Sequence, residues 1–512
     1  MSTYKDEDKF VQRYKERFSL TLDDDWSYRQ SRLYILQKFY NGSIYDNLSP
    51  FYREYNGGED TGQYIPLVKR RPSVIYKLAK IIVDTSVSML FGEGHFPIPR
   101  CNEHDKTTQF LQYLTRKCDL RSVMLDAATK GSVGSVVILI KILDKRFYFE
   151  AIHSISLTPV FKRNRPDELE SLIDIKKVDG ATLKTQGYDI AKDDIKEQYF
   201  IQREWTESEE IYYKPYKVSD AKKEDFMPSK DEDRSVVHDL GFVPAIWIKN
   251  LPKSTGIDGH STYEDILDIN IEIDYQLSQH SRLLRYSSDP TLVVKNASAL
   301  EGHELIKGSG ALHVDKDGDA YYAEITNGPT KSVLEFVKGL RELALEMVRG
   351  NRSSPDKIHS AQSGEALKML YFELISLVEE MRLTYGEYGL ISLYAMCIKI
   401  VESNKYELDL GEYFPDTDQN CADHIVLDWP TWYTPSAMDK LNEAKTLETL
   451  LKNNIISPET ATTTVADEYN ILDVEEELND IEKTKSEMYD KEASIKGMSV
   501  EPTTAKVEPE QK

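Results

Sequence analysis

Apolar and aromatic residues at Trp26, Leu33, Leu36, Phe39 and Tyr40 recur at helical spacing, and Asn41-Gly42 then stops the run, which predicts a helix over residues 26–40. A polar, Gly-rich loop follows to Gly62. After Pro72, the run 74–84 predicts a buried helix that ends near Gly92-Glu93-Gly94, with Pro97 and Pro99 beyond it. Residues 111–130 read as one helix, and Gly131 to Gly134 turns the chain into 135–143, a β-branched run suited to a core strand. Short β-branched or aromatic runs at 147–152, 172–178, 199–205, 210–216 and 245–248 predict further strands. The charged stretch 219–234 lacks apolar periodicity and reads as a solvated hairpin tip.

The pattern then changes. Ile266, Ile269, Ile273, Leu277 and Leu284 step by threes and fours, predicting a long helix over 261–287 that Pro290 ends. Leu267 and Ile271 lie off that stripe, so the helix is packed from more than one side. Residues 292–294, 311–314 and 320–322 predict a small β insert with an Asp317-Gly318 turn. Val333, Val337, Leu340, Ala344 and Met347 return to the seam spacing of helices packed side by side, and Gly350 stops them. After a polar loop, 365–401 predicts the longest helix, with Gly386 and Gly389 as kink points. Strands at 407–410 and 424–429 and a helix at 436–451 follow. Ser457-Pro458-Glu459 signals another helix start, and 474–491 is a last helical stretch. The acidic end, polar after Lys496, is expected to be disordered.

Composition narrows the class. The 512 residues are enough for roughly three or four folding units. The net charge of −23 disfavours a protein that wraps its whole surface round nucleic acid. Cys101, Cys118, Cys397 and Cys421 form no paired motif, so neither a disulfide framework nor a zinc knuckle is indicated and a reducing compartment fits. No basic, apolar leader and no run of 18 apolar residues occurs, which reads as a chain made in the cytosol and not inserted in a membrane.

The search for chemistry returns negatives. Phosphate-loop, dinucleotide, zinc-protease and nucleophile-elbow motifs are missing. Asp416, Asp418 and Asn420 have calcium-loop spacing, but Cys421 stands where glycine is required and Leu427 where the bidentate glutamate belongs. Asp315, Asp317 and Asp319 flank a hairpin glycine. His280 and His359 are the only histidines in suggestive places, and each reads as structural or solvated. No metal, cofactor or catalytic residue is nominated.

The order of elements, together with residues 74–94 (VIYKLAKIIVDTSVSMLFGEG), 263–294, Ser363-Gly364-Glu365-Ala366-Leu367-Lys368 and Ile455-Ile456-Ser457-Pro458-Glu459-Thr460, resembles the portal proteins of tailed double-stranded-DNA bacteriophages, in the group typical of phages of Gram-positive bacteria. The resemblance implies an α+β portal fold. Its parts would be a wing at 1–259, stem helices at 260–289 and 331–349, a clip at 290–330 and a tunnel loop at 350–364. A kinked helix and wing return at 365–435, a crown at 436–495 and a tail at 496–512 would complete it. It implies no catalysis and no cofactor, and a ring of about twelve copies at one capsid vertex of the virion, assembled in the host cytoplasm. Implied partners are the double-stranded DNA in the channel, the terminase large subunit, head-completion or adaptor proteins, and the major capsid and scaffolding proteins. A carboxylate-dependent enzyme on nucleic acid or saccharide, and another virion structural protein, are the competing readings.

Within the resemblance, Glu264, Asp268, Glu272, Lys338, Arg341 and Glu342 are the candidates for the stem's channel lining. Arg349, Asn351, Arg352, Ser353, Ser354, Lys357 and His359 are the candidates at the tunnel loop. The stem acids, Asp274 among them, predict a largely repulsive bore. The bases Arg349, Arg352, Lys357 and Lys368 outnumber Asp356 and Glu365 and predict one mildly attractive collar that contacts phosphate without reading bases.

Overall fold

Local signals place the first helices. The computed structural model describes residues 3–57, 62–102, 104–223, 225–253, 256–288, 292–295, 319–322, 328–350, 368–416, 424–432, 437–469, 474 and 477–484. Helix α1 (Thr3–Phe18) precedes α2 (Tyr28–Asn41), which starts at a capping box. The Ser27 hydroxyl accepts from the Gln30 amide, and the Gln30 side chain accepts from the Ser27 amide. Gly42 ends α2 at φ 72°, a left-handed conformation that glycine adopts without strain.

Helix α3 (Leu78–Phe91) starts later than the sequence pattern predicts, because 74–77 is not helical and Val74 and Tyr76 turn their amides to another helix. Strand β1 (Ile98–Cys101) leads to α4 (Asp105–Lys117) and α5 (Leu120–Gly131). These two replace the single helix expected over 111–130, since Asp119 at φ 47° breaks the run between them.

Two antiparallel sheets follow. Strands β2 (Ser135–Leu143) and β3 (Arg146–His153) belong to the first, and β4 (Leu157–Lys162), β5 (Arg165–Asp179), β6 (Gln198–Trp205), β7 (Glu209–Tyr212), β8 (Tyr216–Lys217) and β9 (Val236–Val237) to the second. The second sheet has the order β9-β7-β6-β5-β4, with β8 also on β6. The stretch expected as a hairpin tip contains a helical turn, Val218–Ala221, and returns as β9. Strand β10 (Ala245–Lys249) closes the first sheet beside β2, with Ile246 opposite Ile138. Strand β2 is central and buried from Ser135 to Ile140, which explains why its sequence is a continuous apolar run and not an alternation.

Helix α6 (Leu267–Ser288) extends a short 3₁₀ turn at Glu264–Ile266. In the insert, β11 (Leu292–Lys295) pairs with β12 (Asp319–Tyr322), Leu292 opposite Tyr322. The strand expected at 311–314 and its turn lie outside the described residues. Helix α7 (Gly328–Met347) packs back on α6.

The longest predicted helix is interrupted: α8 (Phe372–Met381) passes into a π-helical segment (Arg382–Leu390) and then α9 (Ile391–Glu402). Gly386 and Gly389 sit in that segment, which widens the helix where kinks were expected. Residues 407–410 are not a strand, whereas β13 (Ile425–Asp428) pairs with β1. The chain divides into two compact units, 1–354 with 371–432, and 355–370 with 433–512. The second contains α10 (Ala437–Lys452) and α11 (Pro458–Tyr469), the latter capped by the Ser457 hydroxyl accepting from the Thr460 amide. The expected disordered tail lies outside the described residues.

Candidate functional site

Helix α6 is bound along its length by polar groups the apolar pattern did not reveal. Asn270, Asp274 and Ser278, spaced by four, form a buried polar stripe. Asn270 Oδ1 accepts from the Ala79 amide (3.3 Å), Asp274 Oδ1 from the Tyr76 amide (2.7 Å), and Ser278 Oγ from the Val74 amide (3.0 Å). The stripe thus serves the backbone of the segment entering α3, whose first amides have no partner within their own helix. The Tyr45 hydroxyl and Asn270 Nδ2 also donate to Asp274 Oδ2, at 2.8 and 3.1 Å. Burial pushes the Asp274 carboxyl up to about 6 although every one of these contacts favours the anion. Asp274 is therefore an inward-facing residue, which corrects its place among the acids of the bore.

The predicted lining residues divide. Glu264 is gripped side-on by Arg32 of α2, with Nε to Oε1 at 2.9 Å. Asp268 is half exposed and faced by Arg13 (2.7 Å), Tyr14 and Arg17 of α1; burial, and next the Asp268 charge, push the Tyr14 hydroxyl upward. Glu272 is exposed and accepts from Gln276. Farther along α6, Arg282 pairs with Glu54 and Arg285 lies over the Tyr52 ring. Glu264 and Asp268 thus carry counter-charges within the chain.

Lys338, Arg341 and Glu342 are exposed on α7. This helix has two apolar stripes. Val333, Val337, Leu340, Ala344 and Val348 form the covered one. Phe336, Leu343 and Met347 are 51%, 50% and 48% exposed and stand roughly 90° round the helix from it. Just past α7, Arg349 adopts φ 53° and places both terminal nitrogens on Glu380 of α8, at 2.6 and 2.8 Å. That hydrogen bonding holds the Glu380 carboxyl below its ordinary range and raises Arg349. Of the tunnel-loop candidates Arg349 alone is described, and its charge is already paired. Asn351, Arg352, Ser353, Ser354, Lys357 and His359 lie outside the described residues, as do Asp418 and Asn420.

Other groups have structural surroundings. Asp416 faces His104 and Lys106, and His280 is buried. Cys118 and Cys397 are free thiols, and burial raises both. Among the described residues no group of His, Cys, Asp and Glu could hold a metal ion, and no helix is long and apolar enough to cross a membrane.

A family profile described as phage portal protein, SPP1 Gp6-like, matches residues 22–490. The chain belongs to this family of phage portal proteins. The match spans both units and includes α6, α7 and the insert between them. A chain of the solved structure described as "Virion of native gene transfer agent (GTA) particle" is similar at 11% identity and a TM-score of 0.37, over 76% of this chain and 89% of that one. No curated protein matches the chain.

Proposed function

We propose that this portal-family chain assembles as a closed ring of about twelve copies at one capsid vertex, and that double-stranded DNA passes through the ring during packaging and ejection. Family membership and the second apolar stripe of α7 support this reading. A helix that covers Val333, Val337, Leu340, Ala344 and Val348 within the chain still offers Phe336, Leu343 and Met347 to another surface. A head-to-tail ring supplies one such surface to every copy.

On this reading α6 and α7 are the stem, the insert 290–330 is the clip, 350–364 is the tunnel loop and 436–495 is the crown. The clip would receive the terminase large subunit during packaging and head-completion or adaptor proteins afterwards. The outer parts would meet the major capsid and scaffolding proteins, and ring formation would initiate procapsid assembly. The chain would act without catalysis. Glu272, Lys338, Arg341 and Glu342 then remain as exposed candidates for a lining of mixed sign, which lets phosphate slide without a strong hold. The collar of Arg352 and Lys357 is tested by reversing both charges, which should lower packaging or DNA retention.

Electron microscopy of the purified chain, with light scattering to count subunits, tests the ring. Rings of about twelve with a DNA-wide hole are expected. A homogeneous small oligomer that forms no rings at high concentration or with scaffold would reject the reading.

A further inference from the structure

Arg382 opens the π-helical segment, and its guanidinium lies over the rings of Trp429 (4.5 Å) and Trp432 (3.5 Å). Phe91 stacks on Trp429, whose Nε1 donates to Glu387 at 2.9 Å. Trp429 is thus held independently of Arg382, and both indoles hold the guanidinium by cation–π contact. Its Nε and Nη2 are nevertheless sealed from solvent and have no hydrogen-bond partner among the described residues. The Nδ1 of His95, whose ring is 6.4 Å from that of Trp432, is in the same condition. Sealed polar groups without partners are rare in folded proteins, because each forfeits its hydration.

Nε and Nη2 form the side of a guanidinium that grips a carboxylate with two parallel hydrogen bonds. This chain uses that side elsewhere: Arg29 holds Asp258 with Nε and Nη2 at 2.7 and 2.9 Å, and Arg32 holds Glu264 in the same way. At Arg382 that side meets no acceptor among the described residues. Glu379 acts on it only through its charge, and Glu387 is occupied by Trp429. Burial accordingly draws the Arg382 pKa down to about 10.

We propose that the side-on edge of Arg382 receives a carboxylate side chain from a second copy of this chain, reached when Trp432 moves off the guanidinium and frees it to turn that edge outward. The proposal rests on the ring reading above. The described residues supply no acid to this edge, whereas each further copy brings 87 aspartates and glutamates. The same helical stretch exposes the apolar side chains of Phe372 (70%) and Leu383 (58%). Trp432 is only partly buried, so its displacement does not require opening the core.

The test follows sedimentation and tryptophan emission against protein concentration for the wild type, Arg382→Lys, Arg382→Ala and Trp432→Phe, with thermal melting as the control for folding. Lysine keeps the charge but not the paired donors, so both Arg382 variants should assemble about tenfold more weakly or worse. Wild-type emission should shift on assembly, and that shift should be absent in Trp432→Phe. Rings that form equally well with Arg382→Lys, or assembly without an emission change, overturn the proposal while leaving the ring reading intact. A wild type that stays monomeric overturns both. Emission that shifts with sodium acetate, in a chain whose assembly is indifferent to Arg382, assigns the edge to a free anion and overturns the second-copy assignment.

Discussion

The Tyr45 hydroxyl donates to the Asp274 carboxylate at 2.8 Å, joining the loop after α2 to the middle of α6 across 229 residues of sequence. The folded pKa of Asp274, about 6, lies above its ordinary 3.8, so the fold holds this proton more tightly than the unfolded chain does. The resulting stabilisation, ~3 kcal/mol, is fully present below about pH 3.8 and is lost as pH rises through 6. Asp274→Asn, which has no such titration, should flatten the fall in thermal stability between pH 4 and 7. An unchanged slope would assign the pH dependence to other groups. Asp274→Ala, which strands the Tyr76 amide and the Tyr45 hydroxyl, should cost about 2–4 kcal/mol at neutral pH, read from denaturant unfolding.

Arg349 couples a strained backbone to a half-exposed ion pair. Both partners are 39% exposed, so solvent screening limits the pair to about 0.5–1 kcal/mol in a double-mutant cycle with Glu380. Arg349→Ala loses the pair and keeps the positive φ, and should destabilise by roughly 1 kcal/mol. Arg349→Gly also loses the pair but relieves the left-handed strain, and should lie close to the wild type. Equal losses in the two variants would show that the backbone strain carries no weight.

Two helical glycines should respond with opposite sign. A Cβ at Gly386 would collide with the Trp429 ring, and one at Gly339 meets nothing within 4 Å. Gly386→Ala should destabilise by about 1–3 kcal/mol through overpacking, and Gly339→Ala should stabilise by up to about 1 kcal/mol through helix propensity. The comparison is made by chemical unfolding at low protein concentration, where assembly does not contribute.

The second stripe of α7 should matter to assembly and little to the single chain. Phe336→Ser with Leu343→Ser removes apolar area that is already half exposed, so monomer melting should change by no more than a few degrees. The same pair should reduce rings in light scattering and microscopy. Rings of normal yield would exclude this stripe from the contact between copies.

Much of the element order is legible because each element announces itself within a few residues. Asn41-Gly42 stops α2, Ser457 and Pro458 open α11, and the β-branched run 135–143 marks the central strand. The missed boundaries have tertiary causes. The start of α3 is displaced because Val74 and Tyr76 bond α6 instead of continuing a helix. A break at Asp119 is invisible to periodicity, since the residues on either side keep helical spacing.

Side-chain roles divide in the same way. By itself the sequence determined the family resemblance, the α+β class, the pair of long helices round an insert and the acidic balance, because these depend on spacing and composition. Only the tertiary structure decided which charges remain available. Asp274 and Glu272 are both acids of one helix, yet one is sealed beneath the segment entering α3 and the other faces solvent. Arg349 and Glu380 lie 31 residues apart and Arg13 and Asp268 lie 255 apart, so their pairing follows from the packing of helices and not from any local pattern. The edge of Arg382, without an acceptor among the described residues, is a fact of the same kind. An arginine in sequence always carries a charge, but whether an acid reaches it depends on what the fold brings within hydrogen-bond distance.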